Sequence, residues 1–142
     1  MHIQSYLSFN GNCGDAIAFY RDALGAEQTF RLRFDEAPPD ARPPAPPELA
    51  DKVMHAALKI GESTLLMSDG GCVTKDEKPS GRSLFLGCED AASAERYFNA
   101  LAQGGEVKMP FQETFWSPGF GMVTDRFGVS WMVSAPQKEK VG

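Results

Sequence analysis

The chain opens on residues 3–10 (IQSYLSFN), where apolar and polar side chains alternate with the period of a strand lying on a core. Gly11 and Asn12 interrupt it. Over 13–24 (CGDAIAFYRDAL) the period lengthens: Ala16, Ile17, Tyr20, Ala23 and Leu24 recur at helical spacing, and Gly25 is placed to stop the helix. Alternation returns at about 27–34 (EQTFRLRF), with Phe30, Leu32 and Phe34 set against Thr29, Arg31 and Arg33. Beyond a Pro-rich stretch, 52–60 (KVMHAALKI) and 63–69 (STLLMSD) flank Gly61-Glu62 and predict a hairpin.

The pattern then restarts. A Gly-rich break at Asp69-Gly70-Gly71 leads through a polar link to about Gly81. Residues 82–88 (RSLFLGC) predict a strand, Asp90 an N-cap, and 91–103 (AASAERYFNALAQ) a helix closed by Gly104-Gly105. Strands follow at about 106–111, 115–123 and 129–134, the last two joined by the turn Asp125-Arg126-Phe127-Gly128. The order is β-α-β-β-β twice over. Phe19-Tyr20 corresponds to Tyr97-Phe98, Asn12 to Asp90 and Ser5 to Ser83, each pair 78 residues apart. An internal duplication outweighs any local propensity. It predicts one domain over 1–142, with module one at about 1–70 and module two at about 81–135.

Within module one, between the strands at 27–34 and 52–60, residues 35–50 (DEAPPDARPPAPPELA) hold six of the chain's ten prolines. Such a stretch lacks backbone donors and reads as an extended surface loop. It is either a solvated connector, or a flap over a pocket or arm to a partner subunit.

Composition narrows the partners. Hydrophobic residues at 42% and charged residues at 23% belong to a globular chain. A formal charge of -5 offers no basic stripe for phosphates, which excludes nucleic acid; Lys138 and Lys140 form the only local basic cluster. No apolar run approaches the roughly 20 residues that span a bilayer. The N-terminus lacks the charged start and apolar core of a signal peptide, so no membrane association is expected. Cys13, Cys72 and Cys88 form no C-x-x-C pair, and an odd, scattered set reads as reduced thiols in a cytoplasmic protein. Cys13 lies at a predicted helix N-terminus, which lowers a thiol's pKa, but no His or acid adjoins it in sequence.

The ordered segments Tyr6-Leu7-Ser8-Phe9-Asn10-Gly11-Asn12-Cys13, Ala18-Phe19-Tyr20 with Leu24-Gly25, and Met54-His55-Ala56 carry a family resemblance. So do Leu66-Met67-Ser68-Asp69, Thr114-Phe115-Trp116, Phe120-Gly121, and Thr124-Asp125-Arg126-Phe127-Gly128-Val129 with Trp131-Met132. Together they resemble the vicinal-oxygen-chelate (glyoxalase/bleomycin-resistance) superfamily, and within it the PhnB-like branch. The resemblance implies an α+β fold of two tandem βαβββ modules forming an incomplete barrel around a central cavity, commonly as a homodimer. The branch is often labelled 3-demethylubiquinone methyltransferase. A class I methyltransferase needs a Gly-rich strand-to-helix turn in an alternating α/β sheet, and the sequence has neither.

Catalytic relatives hold a divalent metal with His, Gln or Glu from the first and last strands of each module. Carried over, those positions fall near Ser5 and Ser83, in Leu65-Leu66-Met67 and near Met132, and such side chains are poor ligands. No cofactor is therefore expected. The remaining candidates are few. His2 sits at the terminus. In strand 52–60, Val53, His55, Ala57 and Lys59 share one face, and Met54, Ala56, Leu58 and Ile60 the other. The all-apolar face is expected under a helix, which turns His55 towards the cavity. His55 is then a half-buried structural group, a ligand-contacting or acid-base residue paired with Asp69, or, with Asp69, part of a metal site. Asp69 alternatively caps the turn that follows it. Phe111, Phe115, Trp116, Phe120 and Phe127 concentrate aromatics in one segment; Trp116 and Phe120 are pocket-lining candidates, whereas Phe127 and Trp131 read as core.

The expected function is binding of a small, partly apolar molecule without metal. The alternatives are a metal-dependent lyase, isomerase or dioxygenase, and a dimeric interaction module with no ligand.

Overall fold

A computed structural model describes residues 1, 3–38, 47–69 and 83–136. Expectations placed on His2, Gly70, Gly71, Cys72, Gly81, Lys138, Lys140 and most of the Pro-rich loop lie outside the described residues. The chain divides into two compact units, Met1–Glu77 and Lys78–Gly142. Each is one βαβββ module, and the architecture is α+β.

Unit one contains β1 (Ser5–Ser8), α1 (Cys13–Leu24), β2 (Glu27–Arg33), β3 (Val53–Ile60) and β4 (Ser63–Ser68). Unit two repeats the series as β5 (Leu84–Gly87), α2 (Ala91–Ala102), β6 (Glu106–Gln112), β7 (Phe120–Thr124) and β8 (Ser130–Ser134). The sheet orders correspond: β1-β4-β3-β2 and β5-β8-β7-β6. In both, the first strand runs parallel to the last and the other pairs are antiparallel.

The helical spacing of apolar residues buries one face of each helix. Cys13, Ala16, Ile17, Tyr20 and Leu24 are buried on α1, which packs on β2 and β3, where Ala56 and Leu58 are fully enclosed. Ala94, Phe98 and Leu101 are buried on α2, against β6, β7 and β8. Each large aliphatic side chain so enclosed contributes roughly 1.5–3 kcal/mol. The close approach of α2 depends on Gly121, where a Cβ would come 2.7 Å from the Phe98 ring.

Three expectations are corrected. The strand drawn from 115 begins only at Phe120, because Thr114 and Ser117 close a turn: Ser117 N–H donates to Thr114 Oγ1 at 3.1 Å and Thr114 N–H to the Ser117 carbonyl at 2.9 Å. Phe34 leaves the second strand for a 3-10 turn (Phe34–Glu36), and another (Pro47–Leu49) closes the Pro-rich segment, so its described ends include helical turns beside the extended Ala37. The third concerns register. Strand pairing matches Tyr6 with Phe85, one residue further apart than the helices are, so Ser5 corresponds to Leu84 and not to Ser83. The β1–α1 link is one residue longer than the β5–α2 link, and a one-residue shift exchanges the faces of a strand.

Candidate functional site

Side chains of directly paired residues stand on the same side of a sheet. In unit one, Tyr6 pairs with Leu66, Leu66 with Ala57 and Ala57 with Phe30, a row crossing all four strands. Ala56 and Leu58, the neighbours of Ala57, face α1, so this row lies on the helix-free side. His55 is two residues from Ala57 on that side and pairs with Leu32. Its imidazole is 6.0 Å from the Tyr6 ring and 5.7 Å from the Phe30 ring. Tyr6 is 50% exposed and Phe30 48%. Three rings therefore stand together, two of them about half exposed, and the His55 imidazole has no hydrogen-bond partner among the described residues.

Unit two builds the same row from Phe85, Met132, Met122 and Met109. By that register Phe120 holds the place of His55. Trp116 lies 5.5 Å from Phe120 and 4.8 Å from Phe115, both edge-on. Phe120 is buried beneath this group and Phe115 is exposed. The base of the group is Ser117, itself fully buried, whose Oγ is 2.8 Å from the Gly119 carbonyl and 3.1 Å from that of Ala135.

Asp69 makes no hydrogen bond or ion pair with His55. Its Oδ1 accepts from the N–H groups of Gly11 (2.8 Å) and Cys13 (2.9 Å), and its Oδ2 from that of Val53 (3.0 Å). One buried carboxylate thus ties the turn before α1 to the start of β3. The post-strand turn that Asp69 could have capped lies outside the described residues. Cys13 is likewise structural. Burial, reinforced by the nearby Asp69 charge and only partly opposed by Arg31, pushes its thiol up to about 12. The lowering expected at a helix N-terminus is outweighed.

The metal of the catalytic relatives fails the test of donor chemistry. By register, the helix-free positions of the first and last strands are Tyr6, Ser8, Thr64, Leu66 and Ser68 in unit one. In unit two they are Phe85, Gly87, Ser130, Met132 and Ser134. None is His, Asp, Glu or Cys. Among the described residues no three such side chains cluster. Sequence reading missed Tyr6 and Phe30. Alternation put both on strand faces, but which face required the register.

The paired βαβββ modules, each with one helix on one side of a mixed sheet, define the vicinal-oxygen-chelate (glyoxalase) fold. The fosfomycin resistance protein FosX of Listeria monocytogenes shares it at a TM-score of 0.63 and 12% identity, over 95% of this chain and 92% of that one. A family model described as 3-demethylubiquinone-9 3-methyltransferase matches residues 1–134, and the chain belongs to this PhnB-like family. Protein YjdN of Escherichia coli is 40% identical over 98% of both chains. The crystal structure of PA1353 from Pseudomonas aeruginosa superposes with a TM-score of 0.83 at 43% identity, covering 97% of this chain and 99% of that one. A Bacillus cereus PhnB protein gives 0.76 at 25%, covering 95% and 99%.

Proposed function

We propose that this protein binds a small, partly apolar molecule on the helix-free side of its sheets, and does so without a divalent metal. The observation that carries the reading is the open cluster of Tyr6, His55 and Phe30. Tyr6 and Phe30 offer ring faces to a flat or apolar ligand body, and the unpartnered imidazole offers a hydrogen bond that fixes its orientation. Unit two, taken by itself, offers Trp116 and Phe120 as a second apolar group for such a molecule. His55 is also a candidate acid-base group if the bound molecule is transformed, and it acts there without Asp69, whose carboxylate is engaged by backbone N–H groups.

The donor set argues against a metal-dependent lyase, isomerase or dioxygenase. The family's description names a methyl transfer, and that activity is not carried over to this chain. Nucleoside cofactors of that class sit at a Gly-rich turn in an alternating parallel sheet, whereas each sheet here has a single parallel pair. The reading includes a homodimer working in the cytoplasm.

The test uses the aromatic probe 8-anilinonaphthalene-1-sulfonate, titrated by fluorescence into the intact protein and into His55→Ala and Tyr6→Ala variants. Each variant is expected to keep its circular dichroism and to bind about tenfold more weakly, a change of about 1.4 kcal/mol. Equal affinity in all three proteins would remove the site.

A further inference from the structure

We infer that Asn10-Gly11 is a latent deamidation site, and that the buried Asp69 carboxylate holds it closed in the folded protein. Asn10-Gly11 is the chain's only Asn-Gly pair. It lies in the turn between β1 and α1, with Asn10 exposed to water and Gly11 in the left-handed region at φ 94°. Glycine at the following position places no side chain in the way of ring closure.

The reaction needs the Gly11 backbone nitrogen as its nucleophile. Once deprotonated, that nitrogen attacks Cγ of Asn10. A new N–Cγ bond forms, the Cγ–Nδ2 bond breaks, and Nδ2 leaves as ammonia after taking up a proton from water. Water then opens the five-membered imide at either carbonyl, leaving an aspartyl or an isoaspartyl residue. The net change is addition of one water and loss of one ammonia.

Asp69 opposes the first step in two ways. The Gly11 N–H donates to Asp69 Oδ1 at 2.8 Å, so the nucleophile's proton is held by an anion that disfavours its removal. The same carboxylate fixes the Cys13 and Val53 N–H groups, so the Gly11 nitrogen cannot swing towards the Asn10 side chain unless the whole clamp opens. Cys13 follows the chain's second asparagine, Asn12. One carboxylate oxygen therefore guards the attacking nitrogen of both asparagines in this turn. The third, Asn99, lies inside α2, where the following N–H belongs to the helix. Conversion at Asn10 would be irreversible for the turn. It places a second carboxylate near Asp69 or, in the isoaspartyl product, adds a methylene to the link that sets the β1–α1 register.

The experiment incubates the full chain at mildly alkaline pH, folded and in urea, and follows Asn10 by peptide mass spectrometry and released ammonia. Native-state hydrogen exchange of the Gly11 amide is read on the same sample. The expected result is conversion at Asn10 at least tenfold slower in the folded chain, equivalent to about 1.4 kcal/mol of local opening. The Gly11 amide should be protected alongside those of Cys13 and Val53. An Asp69→Ala variant that remains folded, which removes the acceptor without creating a second Asn-Gly pair at Gly70, should convert at Asn10 faster than the folded parent. Equal rates in folded and unfolded chains, or a Gly11 amide exchanging like an open loop, would overturn the proposal. So would a folded Asp69→Ala protein converting at the parent's rate. If that variant does not fold, the parent's exchange and conversion rates decide alone.

Discussion

Asp69 shows how the partners of a residue can lie beyond what the sequence around it displays. An acid at the end of an apolar strand, one strand on from one of the chain's two histidines, has the composition of an acid-base pair. What sequence cannot supply is the set of backbone groups that fold back on it. Here Gly11, Cys13 and Val53 deliver three N–H donors from segments distant in the chain. Replacing Asp69 with Ala leaves those donors without their acceptor in the interior, at roughly 1–3 kcal/mol for each unsatisfied group. The Asp69→Ala protein is therefore expected to lose about 3 kcal/mol or more of stability, measured by urea denaturation. A loss below about 1 kcal/mol would mean that water or another group takes over. His55 was legible for the opposite reason. Strand alternation fixes which side a residue stands on without knowledge of its partners, so the apolar stripe Met54, Ala56, Leu58 and Ile60 identified the side away from His55. Cys13 was half legible: the helix N-terminus was visible, whereas the burial that dominates its thiol was not.

At the scale of elements, both helices were readable to within a residue, because a period of 3.6 and a glycine stop are local signals. Their caps were not equivalent, although the repeat aligns Asn12 with Asp90. Asp90 accepts from the Ser93 N–H at 2.7 Å, while Asn12 makes no side-chain cap and α1 is capped instead by Asp69. The hydrogen bonds from Ser93 hold the Asp90 carboxyl below its ordinary value of 3.8. Its stabilisation of α2 is thus fully present above that value and is lost as pH falls through the lower folded value. Asp90→Ala is expected to lower the urea midpoint at neutral pH, and the gap from the parent is expected to close as pH drops below the ordinary aspartate range. A gap that stays constant with pH would assign the effect to helix propensity instead of the charged cap. Strand ends were the least legible elements. The start of β7 depends on the Thr114–Ser117 turn, and the faces of β1 and β5 depend on a one-residue difference in their links to the helices.

For the whole molecule, the duplication was the strongest signal, since it repeats the same order of periods and stops. The divergence between its halves is what bears on function. Equivalent rows read Tyr6, Leu66, Ala57, Phe30 in one unit and Phe85, Met132, Met122, Met109 in the other, with His55 standing where the second unit has Phe120. The imidazole of unit one thus has an apolar ring as its counterpart in unit two, and the first- and last-strand positions that would ligate a metal carry hydroxyls, thioether, hydrocarbon and rings. Such groups compete poorly with water for a hard or borderline divalent ion. Untagged protein, purified without chelator, is expected to carry far less than one equivalent of metal by elemental mass spectrometry. Added Mn2+ or Zn2+ is expected to leave Tm unchanged. A folded-state metal site at about 100 times its Kd would stabilise the chain by about 2.7 kcal/mol, which for a domain of this size raises Tm by ~5 °C or more. A rise of that size, or stoichiometric metal, would place the ligands elsewhere in the chain and return the protein to the metal-dependent branch of its fold.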